Sequence, residues 1–211
     1  KDVSTTYGKE FDSSTYGYKK DAADLQGLTN GDAATAITDV LKDSDFTYVN
    51  GGAKSDPDNQ AVKTQNAGSY QITGSISKTL DNYNIKVVKP GTSKVEKATL
   101  VVDTKGNTRT YGDVTNVADD VANAASFHEA GGTNQTVNGD TVDSILKELN
   151  LSTDSKAQIK DEKGNVVKTG NANLDGYDID ATFKTELTNY TVTKGNVGKE
   201  KIEKAALVVD T

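Results

Sequence analysis

The residues able to do chemistry in this chain are few, and they are sparsely placed. There is one histidine, His128, and no cysteine among 211 residues. A zinc site or a histidine-based general base needs partner groups, and His128 stands in Ser126-Phe127-His128-Glu129 with neither a second His nor a Cys anywhere. It reads as an ordinary strand or loop residue. Acidic side chains are plentiful, 31 in all. Glycoside hydrolysis needs two carboxyl groups about 5–10 Å apart, and among so many acids some pair meets that spacing by chance. No pair is marked out, so the chain reads as a non-enzyme.

Acidic runs occur at Asp56-Pro57-Asp58-Asn59, Asp119-Asp120 and Asp175-Gly176-Tyr177-Asp178-Ile179-Asp180. Calcium takes about six to eight oxygen ligands, and these runs are where a structural calcium would sit. The plainer reading of Asp178 and Asp180 is the solvated outer face of a strand. No other cofactor is expected. Gly51-Gly52 and Gly131-Gly132 lack the Lys-Ser/Thr that follows a phosphate-binding loop, so they read as turns. Tyrosine is the remaining candidate, nine residues against four Phe. Six of the nine recur at matched positions in the two halves of the chain and read as core or sheet residues. Tyr16, Tyr18 and Tyr48 have no such counterpart and are the candidate ligand-binding residues, a stacking surface for glycan or protein.

The elements that would hold these residues come in two copies. Val95-Glu96-Lys97-Ala98-Thr99-Leu100-Val101-Val102-Asp103-Thr104 returns as Ile202-Glu203-Lys204-Ala205-Ala206-Leu207-Val208-Val209-Asp210-Thr211, an offset of 107 from Val95 to Ile202. Tyr70, Ile72, Leu80, Asn82 and Tyr83 return at the same offset as Tyr177, Ile179, Leu187, Asn189 and Tyr190. Thr6-Tyr7-Gly8 matches Thr110-Tyr111-Gly112, and Ile37 and Leu41 match Ile145 and Leu149. Small drifts in offset mark loop insertions within one duplicated unit. The expected boundary is the polar stretch after Thr104, giving repeat 1 over residues 1–104 and repeat 2 over residues 105–211.

Within each copy, Tyr177, Ile179, Ala181, Phe183 and Leu187, and their matches from Tyr70 to Leu80, fall at even spacings, the period of a half-buried strand or of two strands around a bend. Ala98–Val102 is short, apolar and β-branched, a buried strand. One segment per copy departs from this. Val142, Ile145, Leu146 and Leu149 lie at i, i+3, i+4 and i+7, one face of a helix, with Asp140 as the expected N-cap. Ala34, Ile37 and Leu41 repeat it after Asp32.

Composition narrows the class further. With a net charge of −7 the sequence shows no basic face of the kind nucleic-acid binding requires, and no apolar run is long enough to span a membrane. Absence of Cys and Met suits a chain exposed to an oxidising exterior.

The order Asn66-Ala67-Gly68-Ser69-Tyr70, then Asn82-Tyr83-Asn84-Ile85, then Val95-Glu96-Lys97-Ala98-Thr99-Leu100-Val101-Val102, then Thr108-Arg109-Thr110-Tyr111-Gly112-Asp113 resembles the MBG/YDG-type repeats ("mostly bacterial Ig-like") of large bacterial surface adhesins, including filamentous-haemagglutinin-like exoproteins. The second copy carries Asn189-Tyr190-Thr191-Val192 and Ile202-Glu203-Lys204-Ala205 in the same order. The resemblance implies a structural, extracellular role with no catalytic residues.

The expectation is therefore a mainly β chain of two tandem Ig-like β-sandwich-type modules, each with one short helix, arranged end to end. It would serve as a stalk or spacer that projects an adhesive region from a bacterial cell. Its neighbours would be further repeats of its own chain, and it would be a monomer with no nucleic-acid or membrane partner. Direct recognition of host or bacterial surface glycan or protein is the alternative. An envelope protein of the S-layer or flagellin variable-region kind is a third.

Overall fold

Strands form where side chains alternate between core and solvent, and the last strand of each copy shows this most cleanly. Ser93 and Val95 point inward from Gly91–Glu96, as Glu200 and Ile202 do from Lys199–Glu203. A computed structural model describes residues 1–54, 64–113, 126–128, 136–168 and 170–210. Among the described residues it is mainly β, in two tandem modules, each with one short α-helix.

The first unit contains β1 (Val3–Thr6), α1 (Ala34–Val40), β2 (Phe46–Asn50), β3 (Gly68–Ile76) and β4 (Gly91–Glu96). They form one four-stranded sheet in the order β1-β4-β3-β2. β1 runs parallel to β4, and the other pairs are antiparallel. The chain then enters β5 (Ala98–Asp103), β6 (Asn107–Thr110), β7 (Ser126–His128), α2 (Val142–Leu149), β8 (Ser152–Ser155), β9 (Ile159–Lys160), β10 (Val166–Lys168), β11 (Asn173–Thr182), β12 (Tyr190–Lys194) and β13 (Lys199–Glu203). Here β6-β13-β11-β8 repeats the first sheet, again with its outer pair, β6 and β13, parallel. The registers agree residue for residue: Thr6 faces Glu96, and Thr110 faces Glu203. A second sheet, β12-β5-β7, belongs to this unit, as does the β9–β10 hairpin. Its turn is held by the Asp161 carboxylate, which accepts the Lys163 and Asn165 N–H groups.

The helices are short and depend on packing. α2 buries Ile145 and Leu149, and Asn150 ends it in a left-handed turn at φ 51°. Its N-cap is Thr141, whose hydroxyl accepts the Ser144 N–H, in place of the expected Asp140. Asp140 sits one residue too early to cap and instead accepts the Tyr190 hydroxyl at 2.7 Å. Asp32 accepts the Tyr83 hydroxyl at 2.6 Å in the same way. The two phenol oxygens in turn accept the Thr29 and Val137 N–H groups. This duplicated network ties the entry of each helix to the segment ahead of the last strand, a constraint that the recurring tyrosines carry.

The chain divides into compact units at Ala98–Thr99, one strand ahead of the boundary expected after Thr104. The cause lies in β5. Its backbone pairs with β7 and β12, and its Leu100 and Val102 side chains are buried. Thr104 continues the same attachment, donating its N–H to the Asn196 carbonyl and accepting the Gly198 N–H. The strand that follows the first unit is thus the opening strand of the second.

Candidate functional site

The three unmatched tyrosines meet in the first unit. β2 places Phe46 and Tyr48 on one face, and the Tyr16–Lys20 segment lies against them. Tyr18 stacks on Phe46 with centroids 4.9 Å apart, Phe46 on Tyr48 at 6.0 Å, and Tyr16 meets Tyr48 edge-on at 6.0 Å. Each such pair adds about 0.5–1.5 kcal/mol beyond its buried area. Hydrogen bonds fix the row. The Tyr18 hydroxyl donates to the Leu41 carbonyl at 3.0 Å, and the Asn50 amide donates to the Tyr16 oxygen at 2.9 Å. Lys20 lies 5.2 Å over the Tyr18 ring and pairs with Asp43 at 2.9 Å.

Phe46 was missed by sequence reasoning, although its period-two spacing from Tyr48 signals the shared face. The corresponding β8 positions are Leu151, just ahead of that strand, and Thr153, so among the described residues the aromatic row belongs to the first unit.

Electrostatics follow from this packing. Burial, with the Asp43 charge adding to it, pushes the Tyr48 phenol up to about 12. The Tyr48 hydroxyl is buried without a hydrogen-bond partner. Tyr48→Phe is therefore expected to be neutral or to stabilise the first unit by up to about 1 kcal/mol, because it removes an unsatisfied polar atom and little packing. The denaturant midpoint of that unit checks this.

Burial also pushes the Asp43 carboxyl up, but the Lys20 ammonium, the Tyr18 N–H and the Lys1 charge outweigh it and hold the group below its ordinary 3.8. A carboxyl lowered on folding adds stability above its unfolded value and loses that contribution as pH falls through the lower folded value. Acidification below pH 3.8 is thus expected to free the Tyr16–Lys20 segment. The Tyr18 amide resonance should report it, and Asp43→Asn should remove the acid dependence.

Beside the aromatic row runs an open groove of about 780 Å³, lined by Tyr18, Tyr48, Leu41, Ile72, Leu80 and Ile85 among others. Its lining mixes apolar and aromatic side chains with lysines and aspartates, a surface suited to an extended segment or to stacking on a ring. Tyr18 and Tyr48 line it, whereas Tyr16 stands outside.

The remaining candidates are dispersed. His128 occupies a strand position in β7, paired with Val101. Asp178 pairs with Lys199 and Lys156, and Asp180 with Lys156 and Lys194, so cations already face this acidic strand. Asp56–Asn59, Asp119 and Asp120 lie outside the described residues. Among the described residues no group of three or more His, Asp or Glu side chains is placed to hold a metal ion, and no helix is long and apolar enough to cross a membrane.

Sequence reasoning also missed a buried ion pair in the second unit. Arg109 Nε meets Glu200 Oε1 at 2.9 Å, and Glu200 is fully buried. The matching residues of the first unit are Thr5 and Ser93, and that switch between copies is the signal that would have found it.

Comparison with family models, curated proteins and solved structures finds no match for this chain.

Proposed function

We propose that the chain is an extracellular spacer, a stalk segment of a bacterial cell-surface adhesin. The observation that carries this reading is mechanical. In each unit an early strand and the last strand lie side by side and parallel, β1 with β4 and β6 with β13. In the first unit, tension entering through the start of β1 and leaving through the end of β4 loads all the hydrogen bonds of that ladder together, in shear; in the second it meets β5 before it reaches β6. An antiparallel terminal pair would peel open bond by bond. Duplication of such a unit, with its core closed by backbone pairing and without disulfides, suits a part whose task is to resist pulling. The Ig-like resemblance and the lack of Cys and Met agree with it.

Single-molecule extension between the two ends tests it. Each unit is expected to give its own abrupt unfolding event, and Lys94→Pro, which disrupts the β1–β4–β3 pairing, to lower the force of the first unit's event only. Smooth extension at low force would contradict the reading. A second reading rests on the aromatic row, which makes the first unit a direct binder of glycan. Saturable glycan binding abolished by Tyr18→Ala would favour it over the spacer.

A further inference from the structure

The two units share a strand order and a register, but they differ in what joins their parallel pairs on the inward side. In the second unit Glu200 of β13 stands opposite Asn107 of β6, and Ile202 stands opposite Arg109. Arg109 is thus two residues farther along β6 than the position that faces Glu200. Its Nε reaches back diagonally to Glu200 Oε1 at 2.9 Å. Both side chains are buried, at 9% and 0% exposure. Glu200 Oε2 is buried without a hydrogen-bond partner, and so are both amide atoms of Asn107 opposite. In the first unit Thr5 and Ser93 hold the matching positions, and neither carries a charge.

The direction of the diagonal decides what it does under load. β6 and β13 run parallel, and β6 is an outer strand of its sheet. A pull on the start of β6 against the end of β13 draws β6 backward past β13. Arg109 then travels toward Glu200. After a slip of two residues, about 6.6 Å at about 3.3 Å per residue, Arg109 stands directly opposite Glu200. Side chains alternate faces with a period of two, so both stay on the inward side, and the evenly spaced bonds of a parallel ladder re-form in the shifted register. Oε2, orphaned in the resting register, then comes within reach of the guanidinium, and the pair gains the two-point contact that Arg and carboxylate favour.

We propose that Arg109 and Glu200 form a slip clasp, a side-chain tether that holds the second unit in a register shifted by two residues when its parallel pair is loaded. A backbone ladder in shear loses its bonds together and keeps nothing once they are gone. The clasp keeps a charge contact through the slip and strengthens it at the end, so the loaded unit pauses before it opens. In the first unit the same slip brings Thr5 opposite Ser93, with no charge to hold it. The clasp rests on the spacer reading for its use, and it makes the two units yield differently, one in a single step and the other in two.

Direct loading of the parallel pair in the whole chain tests this. There is no native cysteine, so Lys105→Cys and Lys204→Cys, both at exposed positions, take handles ahead of β6 and just beyond β13. Constant-force extension in optical tweezers is expected to show a lengthening of about 6.6 Å, a dwell, and then full unfolding of the unit. Arg109→Met with Glu200→Leu should remove that step, or shorten its dwell by about tenfold or more, because the slipped strand has no buried charge contact left to break. A unit that is only less stable would keep the step and take it at a lower force. Handles at Lys1→Cys and Lys97→Cys load β1 against β4 and should give one step without a dwell. No dwell between the Lys105→Cys and Lys204→Cys handles, a dwell unchanged by the double substitution, or an equal dwell in the first unit would each overturn the clasp. Abrupt events in end-to-end extension combined with any of these results would leave the spacer reading standing without the clasp.

Discussion

Glu200→Ala is expected to destabilise the second unit by about 3–5 kcal/mol while leaving the first unit's unfolding unchanged. The cost comes from Arg109, which is 9% exposed and would keep its charge after losing the carboxylate 2.9 Å away. The pair itself is not a strong source of stability. Glu200 Oε2 has no hydrogen-bond partner, so part of the carboxylate's desolvation goes uncompensated. Replacing both residues with apolar ones of similar volume, Arg109→Met with Glu200→Leu, should therefore recover most of the loss. Urea unfolding of the unsubstituted chain and the two variants checks both statements.

The first unit shows that the fold does not require this charge pair. There Ser93 takes the place of Glu200, and the backbone at Gly52 closes so tightly over it that a Cβ would stand 2.6 Å from the Ser93 hydroxyl oxygen. One copy fills the position with a long ion pair and the other with a glycine turn.

Leu100→Ala is expected to cost the second unit about 2–5 kcal/mol, the usual range for emptying a closed apolar site. Leu100 is fully buried in β5. Were β5 a part of the first unit, as the expected boundary after Thr104 implied, the same substitution would shift the first unit's transition instead. Thermal unfolding followed by residue-resolved NMR separates the two. Val101→Ala, at a residue of the same strand with 9% exposure, should cost less.

How much of this was legible in the residues alone depends on the kind of signal. The duplication, the strands β3, β5 and β11 and both helices follow from sequence matches and from periods of two and of three to four, which are local properties. Which unit owns β5 does not. Ala98–Asp103 reads as a buried strand wherever it packs, and its partners β7 and β12 come later in the chain. Repeat matching fixes the length of a unit but not its starting point, because any cyclic shift of the period matches equally well. The cap of α2 was missed for a similar reason. Asp140 and Thr141 are both good caps, and the choice was made by Tyr190, fifty residues away, claiming the Asp140 carboxylate.

At the candidate site, two of the three tyrosines without counterparts in the other copy, Tyr18 and Tyr48, line the groove. The groove beside them was invisible, since Ile37, Leu80 and Ile85 read as ordinary core positions. Comparison with their matches Ile145, Leu187 and Val192, all buried, shows that in the first unit these positions are only half-buried.

The measurement that bears most directly on the shared strand compares two fragments, residues 98–211 and residues 105–211, by amide hydrogen exchange. The longer is expected to fold with a cooperative transition and protected amides in β11, β12 and β13. The shorter should lose the β12 protection and most of its stability, because Leu187, Tyr190 and Val192 would be left without the strand that closes their core. Equal stability and equal protection in the two fragments would contradict the assignment of β5 to the second unit.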